Sequence, residues 1–213
     1  MERLDTGIEL HSGISSAHQQ ALYSVVRRYK PEIAVEIGMA YGFSALAILK
    51  GLDENGGGKL ISIDPNQSTE WQNVGLARVE EAGYRPRHEL IERPDYLALP
   101  DLLSRGVGVD FAYVDGWHTI DYVMLDIFYL DKMIRPDGVI GFNDCDMIAV
   151  RRAIKYLTTH RQYRELDVGL PRNYRGHNWA YTAARFLLRW PTQDRYFIKL
   201  RSWEPPWSFH RWF

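Results

Sequence analysis

Five short runs rich in β-branched residues, at 33–37, 59–63, 88–91, 109–114 and 138–142, alternate with stretches whose apolar side chains recur at helical spacing. Such alternation is the signature of a parallel sheet whose crossovers are helices. The first helix is expected over residues 15–29, with Ala17, Leu22, Val25 and Val26 on one face and a stop at Pro31. Others follow near 44–49, 71–82 and 120–133. In the last of these Ile120, Val123, Met124, Ile127, Leu130 and Ile134 share a face, and Arg135-Pro136-Asp137-Gly138 reads as a turn into the next strand. Gly56-Gly57-Gly58 is a loop on the opposite rim. The expectation is a doubly wound α/β sheet in one domain spanning 1–213.

The 213 residues, 46% of them hydrophobic, can supply a sizeable core. With 26 Lys+Arg against 27 Asp+Glu the net charge is −1, so no global field draws the chain to nucleic acid or to an anionic membrane. No stretch approaches the roughly 18 apolar residues of a membrane span, and the start Met1-Glu2-Arg3-Leu4-Asp5 lacks a signal-peptide apolar run. The chain therefore reads as cytoplasmic. The single cysteine, Cys145, excludes an intrachain disulfide and reads as a small buried apolar residue.

In a doubly wound sheet, ligands lie beyond the carboxyl ends of the strands. Those ends carry Glu36, Asp64, Asp115 and the pair Asn143-Asp144, so all but the third are acidic or amide. Each has a plainer role as a cap of the following helix, but the joint placement favours a site. In Val35-Glu36-Ile37-Gly38-Met39-Ala40-Tyr41-Gly42-Phe43-Ser44 a strand runs into a Gly-x-x-x-Gly loop that opens a helix. A dinucleotide site asks for Gly-x-Gly-x-x-Gly, and Met39 and its neighbours do not supply it. A nucleoside cofactor without a pyrophosphate fits better. Asp64, 26 residues after Gly38, is placed to accept hydrogen bonds from ribose hydroxyls.

On these residues the chain resembles the class I S-adenosylmethionine-dependent methyltransferases, over roughly residues 14–157. The resemblance implies a seven-stranded, mostly parallel Rossmann-like sheet whose last strand, expected over 195–201, is an antiparallel edge. It implies S-adenosylmethionine contacts from Glu36, Gly38, Met39, Tyr41, Gly42, Asp64, Arg93 and Asp115. The segments Tyr113-Val114-Asp115-Gly116-Trp117-His118 and Gly141-Phe142-Asn143-Asp144 are similar to the metal-dependent O-methyltransferase branch, both macrolide-sugar and catechol-type. By that likeness Asp115, Asn143 and Asp144 bind Mg²⁺ or another divalent cation, and His118 is the general base with Asp115 beside it. Where the sugar branch has glutamate, Asn143 stands.

The implied activity is O-methylation of a small hydroxylated acceptor, a sugar or polyketide-like metabolite. Two other readings stay open: a silent cofactor-binding protein acting as an assembly partner, and a dehydrogenase. For His118 a structural histidine, for Asn143 a turn, and for Asp144 and Asp146 caps of a helix beginning near Met147 are the plainer alternatives. His11 and His18 read as surface or capping groups.

The tail over 171–213 holds five of the seven tryptophans together with Arg172, Arg175, Arg185, Arg189, Arg195, Arg201 and Arg211. Packing or homo-oligomer contacts, a lid over the acceptor, and a membrane or nucleic-acid patch are its three readings, the first preferred.

Overall fold

The computed structural model describes residues 14–171, 179–187 and 192–213. His11, Arg172, Arg175 and Arg189, named above, and Trp190, one of the five tail tryptophans, lie outside the described residues. Helix α1 (Ser16–Tyr29) leads into β1 (Ile33–Ile37), followed by α2 (Phe43–Glu54), β2 (Lys59–Ile63), α3 (Val74–Glu81) and β3 (His88–Ile91). Next come α4 (Asp95–Ser104), β4 (Val109–Val114), α5 (Ile120–Met133), β5 (Ile134–Phe142), α6 (Ile148–His160), β6 (Tyr163–Leu166), α7 (Trp179–Leu187) and β7 (Arg195–Lys199).

The sheet order is β3-β2-β1-β4-β5-β7-β6, so the chain reverses direction across the sheet between β1 and β4. That reversal opens the crevice in which doubly wound proteins bind ligands. β7 runs antiparallel to both β5 and β6. The late strand is antiparallel as expected but is not the edge: β6, not foreseen, takes the outermost place.

Strand alternation divides the core. Val35 and Ile37 join α4, α5 and α6 in one apolar cluster, whereas Ala34, Leu60, Phe111 and Tyr113 meet α1, α2 and α3 in the other. Side chains one residue apart on a strand point to opposite faces, and a sheet covered by helices on both needs both sets apolar. The expected turn at Arg135-Pro136-Asp137-Gly138 is instead a bulge within β5. Val109 pairs with Ile134 and Phe111 with Val139, and Asp137 sits in the left-handed region at φ 65°. Among the described residues, no helix is long and apolar enough to cross a membrane.

Candidate active site

Two glycines let the first loop pass where it does. Gly38 has φ +85°, and a Cβ there would lie 2.1 Å from the Asp115 carbonyl oxygen. Gly42, at φ +80°, packs on the backbone of Gly75, which a Cβ would approach to 2.9 Å. The loops after β1 and β4 are therefore in van der Waals contact, and only glycine fits both the space and the dihedrals.

Asp64 holds the loop's other side. Its Oδ2 accepts from the backbone N–H of Met39 (3.0 Å) and Ala40 (2.8 Å) and from Gln67 Nε2 (3.1 Å), and its Oδ1 accepts from Asn66 N–H (2.9 Å). This carboxylate orders the loop while still facing the crevice.

Two cavities open along the carboxyl ends of the strands. The larger, about 780 Å³, runs past Asp64, Pro94, Asp95, Tyr96, Trp117 and Tyr122. The smaller, about 360 Å³, lies among Met39, Tyr41, Phe43, Ser44, Asn143, Asp144 and Gln193. Gly38, Ala40, Trp71, Asp115, Gly116 and His118 line both, so the wall between them is the junction of the β1 and β4 loops. Backbone hydrogen bonds fix that junction: Asp115 N–H to Ile37 O at 2.9 Å and Asn143 N–H to Val114 O at 3.0 Å.

At this wall Asp115, His118 and Asp144 offer ligand atoms that all lie within 4.8 Å of one another. His118 Nε2 is 3.5 Å from Asp115 Oδ1 and 3.5 Å from Asp144 Oδ2, beyond hydrogen-bonding range. It is buried and finds no hydrogen-bond partner among the described residues. Burial pushes the Asp115 carboxyl up to about 6, against the pull of His118. The neighbouring Asp115 carboxyl, and after it the charge of Asp144, raise the His118 imidazole above its ordinary value despite its burial. Two carboxylates facing one point suit a divalent cation, and the imidazole nitrogen, without a hydrogen-bond partner among the described residues, lies beside them.

The other expected residues are placed differently. Glu36 lies on the β1 face shared with Ala34, so its carboxyl turns beneath α2, where it accepts from Ser44 Oγ at 2.9 Å and Ser62 Oγ at 2.5 Å. It is fully buried and lines neither cavity. Arg93 also lies off the cavity walls, with its guanidinium 3.8 Å from Asp101; Pro94, Asp95 and Tyr96 line the wall at that point. Gly42 acts through packing. Met39, Tyr41, Asn143 and Asp144 line the smaller cavity.

Sequence reasoning missed Ile14, Trp71, Tyr122 and Gln193, which reach the crevice from distant parts of the chain and belong to no local pattern. It also missed Asp95, visible only once the residues after β3 are seen to open a helix. Cys145 is buried, with its thiol donating to Phe142 O at 3.2 Å.

Against this geometry, a family model described as a methyltransferase domain matches residues 35–145, more than half of the chain. The chain belongs to the methyltransferase-domain family. A caffeoyl-CoA O-methyltransferase of Stellaria longipes is 30% identical over 135 residues, 62% of this chain and 54% of that protein. The chain spans about half the length of the curated relatives it matches. An O-methyltransferase from Bacillus cereus in complex with S-adenosylhomocysteine shares the fold with a TM-score of 0.70 at 15% identity, over 89% of this chain and 84% of that one. So does TomG from Streptomyces achromogenes, an O-methyltransferase of tomaymycin synthesis in complex with S-adenosylmethionine, with a TM-score of 0.67 at 17% identity over 89% and 82%. The expected fold holds, and the chain falls in the expected methyltransferase-domain family.

Proposed function

We propose that the protein transfers a methyl group from S-adenosylmethionine to a hydroxyl oxygen of a small acceptor, assisted by a divalent cation. The observation that carries this reading is the convergence of Asp115, His118 and Asp144 on the wall common to the two cavities. The larger cavity takes the nucleoside beside Asp64. The methionine end passes Gly38 toward Tyr41 and Ser44 at the start of α2, whose first N–H groups lack a side-chain cap and favour a carboxylate. Acceptor and methyl then meet at Asp115.

Asp115 and Asp144 supply anionic oxygens and Asn143 a carbonyl oxygen, hard ligands of the kind Mg²⁺ prefers. A divalent cation, when bound, lowers the pKa of the acceptor hydroxyl. Methyl transfer from a sulfonium is an in-line displacement: the acceptor oxygen forms a bond to the methyl carbon as the carbon–sulfur bond breaks, leaving a neutral thioether. His118 receives the hydroxyl proton. Were Asp115 and Asp144 to hold a cation, their pull on the imidazole would be offset and His118 would stand neutral, as a base must.

The curated relatives are named for caffeoyl-CoA. Here the exposed faces of Trp117 and Met147 at the crevice mouth suit an acceptor with a flat or apolar portion, such as a polyketide-like metabolite, better than a free sugar.

Calorimetric titration of Mg²⁺ or Mn²⁺ in the presence of S-adenosylhomocysteine tests the reading. Wild type should bind one ion, Asp115→Ala and Asp144→Ala none, and His118→Ala should lower methyl transfer by about 10²-fold or more. Cofactor binding with no ion bound, and transfer indifferent to His118→Ala, would leave only a silent cofactor-binding protein.

A further inference from the structure

Asn143 is the one candidate ligand whose usefulness depends on which way round it sits. Its amide has an oxygen on one side and a nitrogen on the other, and only the oxygen can face a cation. We propose that Asp194, acting through Tyr113, is a positioning residue that fixes the Asn143 amide with its oxygen on the Asp144 side. The inference rests on the metal-assisted reading above.

Asp194 lies just before β7, is fully buried, and brings its Oδ2 within hydrogen-bonding distance of two phenols, Tyr113 at 2.9 Å and Tyr196 at 3.2 Å. A single carboxyl oxygen facing two hydroxyls accepts from both. Ionised, Asp194 has no proton of its own to give and can only accept. The one Tyr113 proton is thus committed to Asp194, and the phenol oxygen has only acceptor capacity left.

The group that meets this oxygen is Asn143, at 3.3 Å. It must present its NH₂. The amide oxygen is then turned the other way, where it receives the Asp144 backbone N–H and lies 3.5 Å from Gln193 Nε2, which also donates to Asp144 Oδ1 at 3.1 Å. Reversing the amide would set its oxygen against the Tyr113 oxygen and its NH₂ against the Asp144 and Gln193 donors, two unpaired contacts in a buried place.

The polarity thus runs in one direction from Asp194 through Tyr113 to Asn143. Strand alternation makes this possible: Tyr113 and Tyr196 share the α1–α2 face of the sheet, their rings stacked at 6.3 Å, so both hydroxyls reach the same carboxylate. Metal-site residues behind the ligands commonly act by such orientation, at a cost of about 10- to 100-fold in affinity when removed.

The test measures Mn²⁺ affinity by calorimetry with S-adenosylhomocysteine present, and S-adenosylhomocysteine affinity as the report of an intact crevice. Tyr113→Phe should weaken Mn²⁺ by about 10-fold or more with cofactor affinity within about twofold. Tyr196→Phe removes the other phenol on the same carboxylate without touching Asn143, and should leave Mn²⁺ binding within about threefold. In an Asn143→Asp background the ligand's two oxygens are equivalent, so Tyr113→Phe should there cost less than about threefold.

If Tyr113→Phe loses cofactor binding, Asp194→Ala, which frees the Tyr113 proton to turn toward Asn143, carries the same comparison. Equal Mn²⁺ losses from Tyr113→Phe and Tyr196→Phe, no loss from either, or an undiminished loss in the Asn143→Asp background overturns the inference while leaving the metal site in place. A wild type that binds S-adenosylhomocysteine but no Mn²⁺ overturns the metal-assisted reading, and the inference with it.

Discussion

Glu36 shows how one residue's environment follows from strand parity. Ala34, Glu36, Leu60 and Ser62 share a face, so a carboxyl in an apolar run is carried into the layer under α2. Burial there pushes the Glu36 carboxyl up to about 8, against the Ser62 and Ser44 hydroxyls, and the same Ser62 Oγ lies 2.7 Å from His88 Nε2. Burial drives His88 down to about 4. The two groups act on stability with opposite signs. The neutral His88 binds fewer protons folded than unfolded, so its contribution is lost as pH falls from 6.5 toward about 4. The protonated Glu36 binds more protons folded than unfolded, so stability declines as pH rises from 4.5 to about 8. Between 4.5 and 6.5 the slopes oppose each other, and from 6.5 to about 8 Glu36 acts alone, at up to about 1.4 kcal/mol per pH unit. Glu36→Gln should therefore be more stable relative to wild type at pH 8 than at pH 6.5 by about 1–2 kcal/mol in urea denaturation. A stability difference equal at the two pH values would show that Glu36 is ionised throughout. Sequence pattern placed Glu36 near the cofactor, but strand parity sends its carboxyl away from the crevice.

At the scale of elements, the helices and strands with strong periodicity were legible, and those interrupted by proline or cut short were not. Helix α4 begins directly after Pro94 and contains Pro100, two residues that normally break a helical pattern. Strand β6 is four residues long with Arg164 and Glu165 at its centre, and such a polar edge has no sequence signal distinguishing it from a loop. Its place outside β7 is set by the antiparallel pairing of Tyr163 with Lys199. Helix termini carry their own energetics. α1 is capped by Ser15, whose Oγ accepts from His18 N–H, and ends at Lys30 in the left-handed region, φ 47° and ψ 55°, with its N–H on Val26 O. A residue with a Cβ pays roughly 1–2 kcal/mol there, part of which glycine returns through its freer unfolded chain. Lys30→Gly should stabilise by about 0.5–1 kcal/mol, a melting rise of about 1–4 °C for a chain of this size. A fall in melting temperature would mean that the lysine side chain contributes more than its backbone costs.

The whole molecule separates the crevice rim from the opposite one, and the aromatic segment over 203–213 packs at the second. Parallel strands put their carboxyl ends together, so α6, which starts at the crevice after β5, delivers His160 to the opposite rim. Phe209 and Phe213 pack edge-on against His160, with ring centroids 5.5 and 5.0 Å away, and Trp203 meets Phe209 at 5.2 Å. Glu204 joins Lys132 at 2.7 Å and Arg161 at 3.4 Å, beside the buried contact of Arg161 and Lys199 with Asp131. Composition marked this tail as unusual but could not say which rim it covers, because that depends on where α6 ends. Among the described residues of the tail, Gln193 and Asp194, on the approach to β7, reach the crevice side. Phe209→Ala should then cost about 1–3 kcal/mol of stability and leave S-adenosylhomocysteine affinity within about twofold, measured by thermal melting and calorimetry on the same preparation. The reverse result, a tenfold loss of cofactor affinity at unchanged melting temperature, would place the tail over the acceptor and make it a lid. Packing energy lost at one rim while binding persists at the other is what a rigid sheet predicts, since the seven strands between them carry the load that positions Asp115 and Asp144.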